Sequence, residues 1–141
     1  MSVDPLGFGP VEYVHHRWPA DPRRSAEVRA ALRGWLLSLR LTQEQSGDVL
    51  LAVSEAVDNA LRHAYPPGAP GPIDIVLWTE PGTLCIEVAD QGEWRDPARA
   101  EVGMGLAMMR SLVESAIIRC GRAGTRVLLR QPLPPDVTVI A

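Results

Sequence analysis

The segment from Thr42 to Tyr65 constrains the fold more than any other, because it predicts one long amphipathic helix. Thr42 and Gln45 have the spacing of a capping box, which marks a helix start. Apolar side chains then recur at helical spacing on one stripe, which contains Leu50, Val53, Val57, Leu61 and Ala64. The helix should end near Tyr65, before Pro66-Pro67-Gly68. A helix with one apolar stripe needs a second layer to cover it, so the remaining segments must supply that layer.

The rest of the chain predicts an earlier strand and helix and two later hairpins. Val11 to Trp18 has the composition of a strand, and Asp21-Pro22 opens a helix that runs to about Leu39. After the long helix, a Pro/Gly-rich loop leads into alternating segments joined by glycine turns. These segments pair as Ile73 to Thr79 with Leu84 to Ala89, and as Ala116 to Cys120 with Thr125 to Arg130.

Between the hairpins we expect a long loop from Asp90 to Val102 and then a helix from Gly105 to Glu114. This order predicts an α+β fold, a two-layer α/β sandwich with a helical layer on one mixed or antiparallel sheet. The 141 residues fit a single domain with a core from about Val11 to Arg130. The tail from Gln131 onward contains three prolines and should be only loosely attached.

The composition disfavours several classes of protein. The net charge is −3 and the arginines are scattered, which argues against direct binding of nucleic acid. No run reaches the roughly 18 apolar residues of a spanning helix, so we expect a cytoplasmic protein with no membrane partner. Cys85 and Cys120 form no CxxC pair, which disfavours a disulfide framework or a zinc site. All fourteen basic residues are arginine, so a nucleotide site here must do without the lysine of a Walker A loop.

Polar residues recur on one side of the long helix. Glu55, Asn59 and His63 stand at positions i, i+4 and i+8, which places them on neighbouring turns of one side. Ala52 and Ala56 beside them leave room for something to approach. A solvated helix face is the ordinary alternative, and the spacing alone does not decide between the two.

Two further motifs have both a functional and an ordinary interpretation. Asp90 ends an apolar strand and Gly92 follows, so the carboxylate could accept a hydrogen bond from a purine amino group while the glycine lets the ring approach. A simple turn would use the same residues. Gly103-Met104-Gly105-Leu106 precedes a predicted helix, whose free amides could hold phosphates, although a hinge or a cap is the alternative. Gly124-Thr125 opens the last strand and is uninformative alone.

The order of these motifs is more specific than any one of them. In that order the chain resembles the Bergerat-fold ATPases, which include gyrase B subunits, heat-shock chaperones and histidine-kinase catalytic domains. Within that superfamily, Ser54-Glu55-Ala56-Val57-Asp58-Asn59-Ala60 and His63-Ala64-Tyr65 are similar to the anti-sigma factor serine kinases of bacterial stress and sporulation. The resemblance covers about Val11 to Arg130.

The resemblance implies ATP and magnesium as cofactors and suggests a role for each matching position. By position, Glu55 matches the residue proposed to activate the attacking hydroxyl, and Asn59 matches the magnesium ligand. The other matches are Asp90 and Gly92 for adenine, Gly103-Met104-Gly105-Leu106 for the phosphates, Thr125 near adenine, and Arg29 for contact with protein partners. The resemblance assigns no role to His63.

The sequence also departs from the family pattern. The family's Asp-x-Gly-x-Gly is here Asp90-Gln91-Gly92-Glu93-Trp94, so the second glycine is missing and Trp94 could narrow the pocket mouth. The predicted lid from Glu93 to Val102 is short and has no threonine or lysine for the terminal phosphate. Arg95 or Arg99 could substitute electrostatically.

The resemblance implies a kinase that phosphorylates a serine of an anti-anti-sigma (STAS-domain) protein and holds a sigma factor inactive, with homodimerisation suggested by similarity alone. A non-catalytic, nucleotide-binding anti-sigma adaptor is the main alternative, because the lid and the glycine motif are altered. The catalytic module of a histidine kinase is a third interpretation. It is disfavoured because the chain has no dimerisation helix that carries a phospho-acceptor histidine.

Overall fold

The helices and strands form two layers, as the sequence predicts. The computed structural model describes residues 13–92 and 100–134, without the side chains of residues 100–104. The strands are β1 (Tyr13–Pro19), β2 (Pro72–Glu80), β3 (Thr83–Asp90), β4 (Ser115–Gly121) and β5 (Gly124–Pro132). A 3-10 turn (Pro22–Arg24) precedes the helices α1 (Ser25–Leu37), α2 (Gln43–His63) and α3 (Ala100–Leu112).

The sheet has five strands in the order β1-β2-β3-β5-β4, and each neighbouring pair is antiparallel. The α+β sandwich is therefore confirmed, and of the two sheet types that the sequence allowed, the antiparallel one is present. Helix α2 packs against α1 and α3 and against strands β3 and β5. It thus lies at the centre of the helical layer.

Local hydrogen bonds stabilise both predicted helix starts, although the first is the 3-10 turn and α1 itself begins three residues later, at Ser25. The Asp21 carboxylate accepts a hydrogen bond from the backbone N–H of Arg23 at 2.9 Å, next to Pro22. The Thr42 hydroxyl accepts from the N–H of Gln45, and the Gln45 side chain accepts from the N–H of Thr42, both at 3.0 Å. This reciprocal capping box satisfies two amides that a helix start otherwise leaves open.

The core lies between the sheet and α2. Alternate residues of the central strands turn one face towards the helices, and these include Ile75, Leu77, Leu84, Ile86, Val127 and Leu129, all at most 2% exposed. They meet the apolar side of α2, where Val49, Val53 and Val57 are buried. Because strand side chains alternate, Asp90 and Thr125 belong to the same inward face as these apolar residues. The alternation thus carries two polar residues into the layer interface.

Two other sequence predictions are wrong at their boundaries. Helix α3 begins at Ala100 rather than Gly105, so the predicted loop is too long, while residues 93–99 lie outside the described part. Ala100 and Glu101 are good helix formers, and packing on α2 offsets the roughly 1 kcal/mol that each interior glycine costs. The predicted start of the loosely attached tail, at Gln131, is also wrong. Strand β5 continues through Pro132, and the N–H of Leu133 donates to the Gly82 carbonyl at 2.9 Å.

Asp74 on β2 connects this strand to β1 through side-chain contacts. Its carboxylate accepts hydrogen bonds from Arg17 Nε and Nη2 at 2.8 and 3.1 Å, and it lies 2.8 Å from His15 Nε2. The Arg17 hydrogen bonds lower the pKa of Asp74, against an opposing effect of burial. Because the pKa of Asp74 is lower in the folded state, its carboxylate stabilises the fold at pH values above the ordinary pKa of 3.8. This stabilisation is lost as the pH falls through the lowered pKa.

We therefore expect Asp74→Asn to lower the free energy of unfolding at neutral pH. The loss should stay below about 1 kcal/mol, because Arg17 is more than half exposed and solvent screens the pair. Urea unfolding of both proteins at several pH values measures this difference. The difference in free energy of unfolding between the two proteins should shrink as the pH drops below 4. A difference that widens there would contradict the stabilising role of the Asp74 carboxylate.

Candidate functional site

The polar side of α2 is covered by α3 and is not a solvated face. Asn59 is 1% exposed, and the side chain of Glu55 is 22% exposed. A β-carbon on Gly105 would lie 2.7 Å from Glu55 Oε1 and 3.0 Å from Asn59 Nδ2. The absence of a side chain at Gly105 therefore lets α3 approach the two polar groups directly. The alternative of a solvated helix face is wrong for these residues.

Asn59 is only partly satisfied in this buried position. Its Oδ1 accepts a hydrogen bond from Arg62 Nη2 at 3.0 Å, while its Nδ2 has no hydrogen-bond partner within residues 13–92 and 100–134. The same Arg62 nitrogen lies 3.6 Å from Glu55 Oε1. A buried polar atom without a partner costs free energy and commonly marks a functional position.

Sequence reasoning missed Arg62, although a signal was present. Glu55, Asn59 and Arg62 stand at i, i+4 and i+7, which is one face of a helix, and the predicted stripe had His63 at i+8 in place of Arg62. Arg62 brings a positive charge to an amide oxygen and a carboxylate oxygen. Such oxygen atoms are also the ligands that Mg²⁺ prefers, so the residues present fit a magnesium–phosphate group. Within the described ranges, no three His, Cys, Asp or Glu residues lie together as a metal cluster.

Asp90 and Thr125 lie at the other end of the site. They are opposite each other in the β3–β5 register and are 5% and 1% exposed. The Asp90 carboxylate accepts a hydrogen bond from the N–H of Gly92 at 3.1 Å. The pairing thus brings together a carboxylate and a hydroxyl that are far apart in the chain.

Two glycines allow close backbone contacts around Asp90. A β-carbon on Gly92 would collide with the carbonyl oxygen of Ala64, just after α2. Gly124 has a φ of +130°, and a β-carbon there would collide with the carbonyl oxygen of Asp90. The end of α2 therefore lies against the end of β3. Along α2, Asn59 and Ala64 are separated by about 7.5 Å of helix axis, so the two ends of the site are near neighbours.

The glycine motif lies within α3 and does not precede a helix, which corrects the prediction. A helix that begins at Ala100 leaves the amides of its first three residues, 100–102, without acceptors inside the helix. Gly103 directly follows these amides, near the positive end of the helix dipole, while Gly105 lies further in. Leu106 packs against the core, and the side chain of Met104 is outside the described part.

The other predicted residues have varied surroundings. Arg29 on α1 is about half exposed, and its Nη2 donates to Asp58 Oδ2 on α2 at 3.0 Å. His63 is partly buried at the last position of α2. The predicted lid residues Trp94, Arg95 and Arg99 lie outside the described residues.

These features define the class of the protein as a small ATPase-type sandwich, with a buried carboxylate on the sheet and an acidic–amide pair on the central helix. The chain belongs to the family of histidine kinase-like ATPase domains, which matches residues 18–131. This match supports ATP as the ligand. Within the described ranges, none of the helices is both long and apolar enough to cross a bilayer.

Curated relatives are similar over most of their length. The serine-protein kinase RsbW of Bacillus velezensis is 29% identical, with 77% of this chain and 79% of the relative covered. The serine-protein kinase RsbW of Bacillus pumilus is 27% identical, with 92% of this chain and 94% of the relative covered. The anti-sigma F factor of Clostridium botulinum (strain Eklund 17B) is 27% identical, with 77% of this chain and 86% of the relative covered.

Solved structures share the fold. The structure of the RsbU and RsbW domains of Rv1364c from Mycobacterium tuberculosis has a TM-score of 0.72 and 28% identity over 88% of this chain. This chain spans 33% of that longer one. The histidine kinase domain of Erythrobacter litoralis EL346, at 22% identity and a TM-score of 0.56, supports the fold alone. The resemblance to anti-sigma serine kinases is confirmed.

Proposed function

We propose that the protein binds Mg²⁺-ATP between α2, α3 and the ends of β3 and β5. It then transfers the γ-phosphoryl group to a serine of an anti-anti-sigma (STAS-domain) partner, and it holds a sigma factor inactive. The observation that carries this proposal is the buried approach of Gly105 to Glu55 and Asn59. Relatives named serine-protein kinase and anti-sigma F factor support the same activity.

Each end of the site has a chemical role in this proposal. The Asp90 carboxylate accepts a hydrogen bond from the adenine amino group, beside the Thr125 hydroxyl. The first amides of α3 face the phosphates with the positive end of the helix dipole. Asn59 would be the protein ligand for magnesium. When bound, magnesium neutralises charge on the phosphates.

Glu55 acts as the base in the transfer step. The serine oxygen forms a bond to the γ-phosphorus as the bond from that phosphorus to the β–γ bridging oxygen breaks, and ADP leaves. The serine proton passes to the Glu55 carboxylate. Arg62, which already contacts the oxygens of Glu55 and Asn59, adds positive charge where negative charge accumulates.

The partner-binding part of the proposal depends on α1. Arg29 is exposed enough to contact another protein, and its ion pair to Asp58 connects α1 to the residue just before Asn59. Phosphorylation of the partner serine would add a dianion to the partner's surface and change the affinity of the complex. We also propose a cytoplasmic location and homodimerisation, both by similarity to the family.

Calorimetric titration with ATP, with and without magnesium, tests nucleotide binding. We expect magnesium to strengthen binding to the wild type, and Asn59→Ala to remove most of that gain. The loss should be about tenfold in Kd, as for one hydrogen bond or ligand contact to a charged group. Gln43→Ala, which removes an exposed amide at the start of α2, is the matched control and should behave as the wild type.

A non-catalytic adaptor is the second candidate function. It is favoured by the replacement of the family's second glycine with Trp94 and by the position of Gly105 inside α3. Magnesium-dependent ATP binding without phosphorylation of any cognate STAS partner would select the adaptor. Absence of ATP binding to the wild type would remove the kinase proposal altogether.

A further inference from the structure

The phenol of Tyr65 connects the segments that meet around Asp90. Its oxygen accepts a hydrogen bond from the backbone N–H of Gln91 at 2.9 Å and donates one to the carbonyl oxygen of Pro72 at 2.5 Å. Tyr65 follows α2, Pro72 opens β2, and Gln91 follows the last residue of β3. One hydroxyl group therefore ties a helix end to two strand ends.

The ring of Tyr65 is held as firmly as its hydroxyl. A β-carbon on Gly71 would collide with the ring, so the ring lies directly on the backbone before β2. The Gly71 carbonyl is fixed in turn by the N–H of Ala20 at 2.8 Å. Burial raises the pKa of Tyr65, so the phenol keeps its proton and can donate and accept at once.

The position of Gln91 links this hydroxyl to the Asp90 carboxylate. Gln91 stands between Asp90 and Gly92, and the N–H of Gly92 donates to Asp90 Oδ1 at 3.1 Å. Fixing the Gln91 amide therefore fixes the short turn that orients the carboxylate. The hydroxyl of Tyr65 thus adds a hydrogen bond to a turn that also contacts Ala64 through Gly92 and the last β-hairpin through Gly124.

We propose that Tyr65 is a positioning residue that sets the preference of this site for adenine over guanine, an inference that rests on the proposed ATP binding. Adenine presents an amino donor where guanine presents a carbonyl acceptor. A carboxylate held in one orientation accepts from the first and repels the second. A carboxylate on a loosened turn can move aside and tolerate the guanine carbonyl.

Titration of wild type, Tyr65→Phe and Tyr13→Phe with Mg²⁺-ATP, Mg²⁺-GTP and AMP tests this role. Tyr65→Phe keeps the ring on Gly71 and removes the hydroxyl. Tyr13 is the chain's other tyrosine and is 69% exposed on β1, so Tyr13→Phe is the matched control. We expect Tyr65→Phe to weaken ATP binding about tenfold and to narrow the ATP-to-GTP affinity ratio by a similar factor. The ATP-to-AMP ratio should stay unchanged, because the phosphate end is untouched.

Three outcomes would overturn the inference. If Tyr65→Phe loses ATP and GTP affinity equally, Tyr65 has only a structural role. If its ATP affinity is unchanged, Tyr65 does not contribute to nucleotide binding. If Tyr65→Phe does not fold, hydrogen exchange of the Gln91 amide in the wild type tests the inference instead. Arg122 in the exposed β4–β5 turn provides the reference amide. A Gln91 amide that exchanges as fast as that of Arg122 would contradict the hydrogen bond to Tyr65. If the wild type binds no ATP, the proposed function itself is refuted. The titration of the wild type therefore distinguishes this outcome from a wrong role for Tyr65.

Discussion

Glu55→Gln is expected to abolish phosphorylation of a cognate STAS partner while leaving Mg²⁺-ATP binding within about threefold of the wild type. An amide cannot accept the serine proton, and a positioned general base contributes about 10²- to 10⁴-fold to the rate. Glutamine is nearly the same size, so the packing of Gly105 against this side chain should survive. A phosphate-transfer assay with labelled ATP, run beside calorimetry on the same preparations, measures both quantities.

The matched control for this variant is Glu44→Gln. Glu44 is exposed in the first turn of the same helix, and its replacement removes the same charge away from Asn59. The control should phosphorylate as fast as the wild type. Transfer that persists in Glu55→Gln would show that another group takes the proton or that none needs to.

Asp90→Asn should produce the largest loss of nucleotide affinity. The substitution keeps the size of the side chain and replaces one accepting oxygen with a donating NH₂ group. A lost hydrogen bond to a charged group is worth about 1.5–3 kcal/mol, or roughly 10- to 150-fold in Kd. Because Asp90 is buried against Thr125, water cannot easily replace the lost acceptor.

Calorimetry with ATP and with inorganic triphosphate separates this effect from general damage to the site. Asp90→Asn should weaken the binding of ATP strongly. It should hardly change the binding of triphosphate, because triphosphate has no base. Asp48→Asn, which changes a carboxylate near the start of α2, is the control and should bind both like the wild type. Equal weakening of both ligands would mean that Asp90 supports the fold of the site and does not contact the base.

The outcomes at Glu55 and Asp90 also discriminate between the two candidate functions. A catalytic kinase requires loss of transfer in both variants but loss of ATP affinity mainly in Asp90→Asn. An adaptor that binds nucleotide without chemistry would show the affinity loss at Asp90, and transfer would be absent from the wild type as well. The departures around Gly92 and Trp94 make this distinction necessary for this chain.

Features that depend on neighbouring residues could be predicted from the sequence. The capping box of Thr42 and Gln45, the end of α2 before Pro66-Pro67-Gly68, and the turn at Pro81-Gly82 follow from local hydrogen bonding and backbone sterics. The strand alternation also predicted the inward face, because successive side chains point to opposite sides. The order of the polar motifs was sufficient to suggest the family.

Which polar groups meet, and which glycines allow close packing, depends on how the helices and strands pack together. Arg62 joins Glu55 and Asn59, Gly105 packs α3 on that pair, and Tyr65 reaches Gln91 across the fold. The start of α3 at Ala100 also escaped prediction, because glycine usually breaks a helix and packing on α2 reversed that preference. Such contacts join residues distant in the chain, so their free energies depend on how whole elements pack, which local sequence patterns do not encode.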